Sequence, residues 1–403
     1  SFFGVGCLNA ISTVAALARL VEMGSQNRSR YVVMADRAAR IYVPVIHSLA
    51  LAAFAGGWLL GLDAREALLR AVTVLIVTCP CALGLAAPAV QISASGRLFR
   101  RGILVKSGAA LERLAEIDCV VFDKTGVLTE GRPVFVAASA PDIAAAAPLA
   151  RASRHPLARA LSDAAGPGPI AQDVVETSGQ GVTGMIDGRP ARLGRAAFVG
   201  VEASASETEM WFAIEGEKPV RFAFADRVRP DAREAVQALQ ARGLSVEILS
   251  GDVAATVHAV AESLDLSKWQ ATVTPFEKYA YLARLSAEGR KVLMVGDGLN
   301  DAAALSQAHA SMAPGSAVDA SQNAADLVFC NEALMSVVTA LDVARTAKRR
   351  TVENFGFSAI YNLVAAPAAM LGLVNPLVAA LAMSGSSMIV TLNALRLGGE
   401  RRR

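Results

Sequence analysis

The sequence predicts α/β soluble domains joined to α-helical membrane spans. Apolar stretches of membrane length fall in two pairs, one toward each end of the chain, and basic residues flank each pair. Between the pairs, short apolar runs of strand character alternate with helical segments, the signature of an α/β domain. A hydrophobic content of 53% and a mean hydropathy of +0.40 exceed those of an ordinary soluble protein. A formal net charge of +3 is too small to indicate nucleic acid, and the basic residues sit beside apolar runs rather than in one patch.

The four candidate spans are 41–62 (IYVPVIHSLALAAFAGGWLLGL), 67–95, 355–374 (FGFSAIYNLVAAPAAMLGLV) and 376–397. Arg28, Arg30, Arg37 and Arg40 precede the first, and Arg97, Arg100 and Arg101 follow the second. Lys348, Arg349 and Arg350 precede the third, and Arg401, Arg402 and Arg403 end the chain. Four crossings put all these flanks on one side, which the positive-inside rule makes the cytoplasm. The first ten residues, SFFGVGCLNA, lack the positive start and cleavage pattern of a secretory signal.

The second span carries VTCPCALGLAAPAV (77–90), with Cys79 and Cys81 on either side of Pro80. Proline removes a helical hydrogen bond and pushes the preceding residue away from the α region. A local unwinding there turns two sulfurs into one cavity and frees backbone carbonyls, a site for a soft metal ion. Five cysteines in all, with one tight pair, read as reduced thiols plus a metal site rather than a disulfide framework.

In the soluble part, CVVFD (119–123), SVEIL (245–249) and KVLMV (291–295) read as buried parallel strands, each ending at a polar loop. Residues 134–221 differ: an Ala-rich helical start leads into VVETSGQGVTGMIDGRPARLG, with Asp187-Gly188 as a hairpin turn, which predicts an inserted domain. Ligands and reacting groups gather at the carboxyl ends of parallel strands. CVVFD runs into KTGVLTEG and places Asp123 there; KVLMV ends in GDGLND, with Asp297 and Asp301; SVEIL ends in SGD, with Ser250 and Asp252; Lys278 lies in TPFEK between them. Together these supply a carboxylate nucleophile, two carboxylates for a hard cation such as Mg²⁺, a hydroxyl for phosphoryl oxygens and a lysine for charge neutralisation. Phosphoryl transfer needs that set, because its catalysis is mostly positioning and electrostatics.

These motifs resemble those of the P-type ATPases. DKTGVLTEG is similar to the family's phosphorylation motif, SGD to its usual TGD, TPFEK to its lysine loop and GDGLND to its hinge motif. The resemblance implies that Asp123 becomes the aspartyl phosphate and that Asp297 holds Mg²⁺, with the Thr125 backbone and the phosphate as further ligands. Lys278 and Ser250 would then contact the phosphoryl group, with Asp252, Asn300 and Asp301 completing the pocket. It also implies a haloacid-dehalogenase-like, Rossmann-type phosphorylation domain carrying an inserted α+β nucleotide-binding domain.

The inserted domain contributes SRHPLARAL and GQGVTG. GQGVTG fits GxGxxG, but a hairpin follows it where a dinucleotide-binding fold needs a helix, so a nicotinamide cofactor is rejected. In the heavy-metal subclass, which the chain resembles, such motifs bind ATP: His155 at the adenine, with Gly179 and Gly181 allowing close backbone approach. One position departs from the copper pumps, whose glutamate five residues before this histidine is Ala150 here.

The same resemblance makes Cys79 and Cys81 the transport site. Thiolates suit Cu(I), Zn²⁺ and similar soft ions. Tyr361, Asn362, Met383 and Ser387 resemble the copper-type pattern of the last two spans, and the charged Lys and Asp of zinc pumps appear in the core of neither. The reading is therefore ATP-driven translocation of Cu(I) at an inner or plasma membrane, with ATP and Mg²⁺ as cofactors. The partners implied are membrane lipid, the copper ion, a copper chaperone as its donor, and a separate amino-terminal half.

That last partner follows from what the sequence lacks. No Thr-Gly-Glu of an actuator domain occurs, so the chain reads as the carboxy-terminal half of a pump. The expected organisation is 1–40 as a remnant after the actuator, 41–100 as a hairpin with Cys-Pro-Cys, and 101–133 with 222–350 as the phosphorylation domain. Residues 134–221 form the nucleotide-binding domain, 351–397 a second hairpin and 398–403 a basic tail. Alternatives are a pump for another soft or transition metal, and a membrane-anchored phosphatase or metal-binding remnant that does not transport.

Overall fold

The structure is a computed structural model that describes residues 30–399 apart from 80, 138, 154, 178, 203–207, 298–300, 318 and 332. The described strands are β1 (Ile103–Val105), β2 (Cys119–Phe122), β3 (Thr129–Ala137), β4 (Gln172–Thr177), β5 (Gly181–Ile186), β6 (Arg189–Gly194), β7 (Thr208–Ile214) and β8 (Val220–Val228). They continue with β9 (Ser245–Leu249), β10 (Trp269–Gln270), β11 (Val292–Val295), β12 (Ala310–Pro314) and β13 (Leu327–Phe329).

Seven of them form a sheet in the order β1-β13-β12-β11-β2-β9-β10, parallel except for β1 against β13. The strands are mostly apolar because both faces are covered, buried Glu247 on β9 and Ser311 on β12 being among the exceptions. On β2 the alternation assigns Val120 and Phe122 to one core, with Leu111, Leu114, Val337 and Leu341. Cys119 and Val121 face the other, with Leu282, Leu285 and Leu305. β2 sits between β9 and β11, so the loops leaving three adjacent strands open at one edge. The chain crosses to opposite sides of β2 to make those neighbours, which creates the crevice where ligands bind in such sheets.

The inserted domain is a six-stranded antiparallel sheet, β3-β8-β7-β6-β5-β4, with helices Ala140–Ala150 and Pro156–Ala165 packed on it through Leu149, Leu161, Val182, Leu193 and Phe222. Its edge strand β3 and the neighbouring β8 are also its two connections to the parallel sheet, so its sheet runs from Thr129 to Val228. The Asp187-Gly188 turn joins β5 and β6 with φ of 50° and 74°, the paired left-handed geometry of a two-residue hairpin.

The membrane reading needs one correction. Four spans are expected from the sequence, whereas two described helical segments, Arg40–Leu59 and Pro376–Leu397, are long and apolar enough to cross a membrane. The stretch 67–95 is divided between helices Ala64–Val77 and Cys81–Phe99, because the ladder stops at Thr78 and Cys79 before the proline. The stretch 355–374 is the far half of a 36-residue helix, Met335–Met370, whose first half packs on the parallel sheet. Large apolar side chains nonetheless lie exposed along all four stretches, among them Leu51, Leu68, Ile92, Leu363, Leu381 and Met388, which suits contact with lipid.

Candidate active site

The loop after β2 is held before it meets any ligand. Asp123 donates its backbone N–H to the Val295 carbonyl at 2.9 Å, so the acid is tied to the end of β11. Lys124 reaches Asp252 Oδ2 at 2.7 Å and Thr125 Oγ1 donates to the same oxygen at 3.0 Å. The turn then needs a left-handed residue, and Gly126 supplies it with φ of 74°. Arg229, buried at the return from the inserted domain, donates to the carbonyls of Gly126 (2.9 Å) and Val127 (2.8 Å).

TPFEK performs two tasks. Thr274 caps the helix Pro275–Ala287 in a reciprocal box with Glu277, and Pro275 occupies the first turn. Lys278 therefore sits at a fixed height above the sheet, its N–H bonded to the Thr274 carbonyl. Its ammonium lies 2.6 Å from Asp123 Oδ1 and 2.7 Å from Asp301 Oδ1, all three groups being buried.

Oxygens of Asp123, Asp297 and Asp301 lie within 4.8 Å of one another. Burial pushes Asp123 up to about 7, the Asp301 charge adding to it while Lys278 pulls back. Burial likewise raises Asp297 to about 6, again with a contribution from Asp301. Burial opposes the charge on Lys278, yet the two carboxylates outweigh it and hold its pKa above the ordinary lysine value. Three hard oxygen donors short of cationic charge fit a Mg²⁺ ion. Ser250, buried at the end of β9, accepts from the Asp252 N–H at 3.2 Å and retains its hydroxyl proton for a ligand oxygen. Asn300 lies outside the described residues.

In the inserted domain, His155 caps the helix Pro156–Ala165, its Nδ1 accepting from the Leu157 N–H at 3.3 Å. It lines a cavity of about 580 Å³ with Ser153, Glu176, Gly179, Gly181, Arg195 and Glu209 among the other wall residues. The two glycines are needed for different reasons. Gly179 has φ of 72° and open space around it; a Cβ on Gly181 would stand 2.5 Å from the Leu193 carbonyl of the neighbouring strand. Ala150 is fully buried.

Cys79 is half-buried at the helix break. Val74 and Val77 pack with Ala369 and Ala379, and farther along the bundle Ala86 packs with Val390 and Phe355. Tyr361, Asn362, Met383 and Ser387 fall between those two levels on their own helices. Tyr361 Oη and Asn362 Oδ1 are buried with no hydrogen-bond partner among the described residues. Such groups are costly at membrane depth unless a ligand uses them. Pro80 and the Cys81 side chain lie outside what the structure describes. The expectation of reduced thiols does not hold at Cys79, which is disulfide-bonded. A sulfur in a disulfide is no thiolate, so it ligates a soft cation only after reduction.

Sequence reasoning missed Lys124, Arg229 and Glu176. Their signal was weak, because charged residues in loops and on exposed strands are ordinarily solvated; only burial or a cavity wall singles them out.

Residues 117–309 match the family model of haloacid dehalogenase-like hydrolases. The chain is 46% identical over 392 residues to the nitrogen fixation protein FixI of Rhizobium meliloti, covering 96% of this chain and 52% of that protein. It is 37% identical over 416 residues to the probable copper-exporting P-type ATPase V of Mycobacterium tuberculosis, covering 97% of this chain and 54% of that protein. The chain thus spans about half the length of the curated relatives it matches. A crystal structure of a zinc-transporting PIB-type ATPase in the E2.Pi state aligns with a TM-score of 0.74 at 30% identity, covering 95% of this chain and 67% of that one. The catalytic domain of the CPx-ATPase CopB-B aligns with a TM-score of 0.54 at 32% identity, covering 62% of this chain and 98% of that one.

Proposed function

Because this chain belongs to the heavy-metal P-type ATPases, we propose that Asp123 accepts the γ-phosphoryl group of ATP and that this chemistry drives Cu(I) across a membrane. The observation that carries the reading is the Lys278 ammonium bridging Asp123 and Asp301 at the ends of parallel strands. A carboxylate oxygen of Asp123 attacks the γ-phosphorus, the bond to the β,γ-bridging oxygen breaks, and ADP leaves with that electron pair. Lys278 holds the nucleophile oriented and offsets charge on the transferred group. Ser250 donates to a phosphoryl oxygen, and the loop of Lys124 to Gly126, fastened by Asp252 and Arg229, keeps Asp123 in line. Asp297, Asp301 and Asp123 are the residues that would hold Mg²⁺, which when bound neutralises charge between enzyme and phosphate. His155, Gly179 and Gly181 would receive the nucleotide in the cavity of the inserted domain; that cavity favours an ATPase over a plain phosphatase.

For the transported ion, reduced Cys79 and Cys81 with Met383 and the neutral groups of Tyr361, Asn362 and Ser387 favour a monovalent soft cation. A second reading, a divalent transition metal, is supported by the likeness to a zinc-transporting ATPase. Against it stands the lack of a charged Lys and Asp in the core of the last two spans. Incubation with ATP labelled at the γ position is expected to give an acid-stable, hydroxylamine-sensitive adduct, abolished in Asp123→Asn because the amide is a poor nucleophile. Undiminished labelling of that variant overturns the assignment.

A further inference from the structure

The cavity beside His155 contains a carboxylate that the phosphoryl chemistry does not use. Glu176, on β4, accepts through Oε1 from Ser153 Oγ at 2.6 Å, and its Oε2 has no partner among the described residues. Ser153 Oγ in turn accepts from the His155 backbone N–H at 3.2 Å. One hydroxyl therefore fastens the carboxylate to the turn that sets the histidine. Since His155 Nδ1 accepts from Leu157, the neutral ring carries its proton on Nε2. The wall thus combines a ring N–H donor with an acceptor-only carboxylate. The other acid on the wall, Glu209, is paired with Arg221 at 2.7 Å.

Resting on the reading that this cavity receives ATP, we infer that Glu176 selects the adenine base by accepting a hydrogen bond from its exocyclic N6 amino group, with Ser153 as its positioning residue. A carboxylate accepts and cannot donate. It therefore favours a base bearing an amino group at C6 and opposes hypoxanthine, which places a carbonyl oxygen there. Sites built to pair with one polar group reject the analogue that lacks it, because their own polar atom is left unpaired. Glu176 is solvent-exposed, which keeps the effect near the low end of that range.

The test is calorimetric binding of ATP and of inosine triphosphate, in EDTA, to the full chain in detergent, with folding checked by circular dichroism. The wild type is expected to bind ATP roughly tenfold more tightly than the inosine nucleotide, as a charge-assisted bond in a wet site allows. Glu176→Ala weakens ATP and, with the opposed acceptors gone, binds the inosine nucleotide no less tightly than the wild type, so the two affinities converge. Glu176→Gln brings the two affinities together, because its amide presents a donor to O6 as readily as an acceptor to N6. Ser153→Ala gives a smaller loss for ATP alone. Equal binding of both nucleotides by the wild type, or an unchanged ratio in Glu176→Gln, overturns the role of Glu176 and leaves the cavity as an ATP site. Binding of neither nucleotide to the folded wild type overturns the ATP reading itself.

Discussion

Gly126 lies directly against Asp297: a β-carbon at position 126 would stand 1.6 Å from Asp297 Oδ2. The backbone there has φ of 74°, so a side chain is opposed twice, by strain and by the carboxylate. The Asp297 carboxylate is the far end of a side chain and would yield, which takes away one of the groups proposed to hold Mg²⁺. Gly126→Ala is expected to abolish phosphorylation while costing only about 1–2 kcal/mol of stability. Gly188 has the same φ with open space around it, so Gly188→Ala should pay the strain alone and phosphorylate normally. Equal phosphorylation by the two variants would refute the coupling between the turn and Asp297.

Lys278 is the only described cation within ion-pair distance of Asp123. Removing it leaves two buried carboxylates facing each other, and breaking such a pair typically costs about 3–5 kcal/mol. Lys278→Met should therefore lower the thermal midpoint at neutral pH and recover part of the loss in acid, where the carboxylates protonate. A variant equally destabilised at both pH values would argue against this electrostatic account.

The metal-free protein should itself become less stable as pH rises. Asp123 stands near 7 in the fold, above its ordinary value of 3.8. A folded-state pKa raised in this way contributes stability that is complete below the unfolded value and lost through the folded one. The thermal midpoint in EDTA should thus fall from about pH 5 to about pH 7.5. Asp123→Asn should flatten the slope, and Mg²⁺ should restore stability at the upper end, where the carboxylates are ionised. A midpoint that rises over this window without metal would contradict the assignment.

Copper binding should depend on redox state. With Cys79 in a disulfide, the chain should take up little Cu(I); after reduction it should bind with sulfur-dominated coordination in X-ray absorption. The Cys79→Ser, Cys81→Ser double variant should lose that signature. Oxygen and nitrogen coordination in the reduced wild type would remove the site.

Much of this was legible in local pattern. The helix break at Thr78 and Cys79 follows from Pro80, and the hairpin from Asp187-Gly188. Each depends on residues a few positions apart. The span 355–374 is harder to read, because it continues a helix whose first half packs against the parallel sheet and only its far half exposes large apolar side chains such as Ile360 and Leu363. Hydropathy measures composition, whereas helix limits depend on where hydrogen bonding stops.

The sequence by itself determined which chemical groups are present and at which strand ends they emerge: Asp123, Ser250, Asp252, Asp297 and Asp301, with Lys278 in TPFEK between them. Only the tertiary structure decided that β2 lies between β9 and β11, so that these loops meet, and that one ammonium bridges Asp123 and Asp301. It also decided that Ala150 is fully buried while Glu176 lines the cavity beside His155. The physical reason is range. Caps, turns and alternation are set by interactions along a few residues of backbone, while strand order and the meeting of distant side chains are set by burying one shared core.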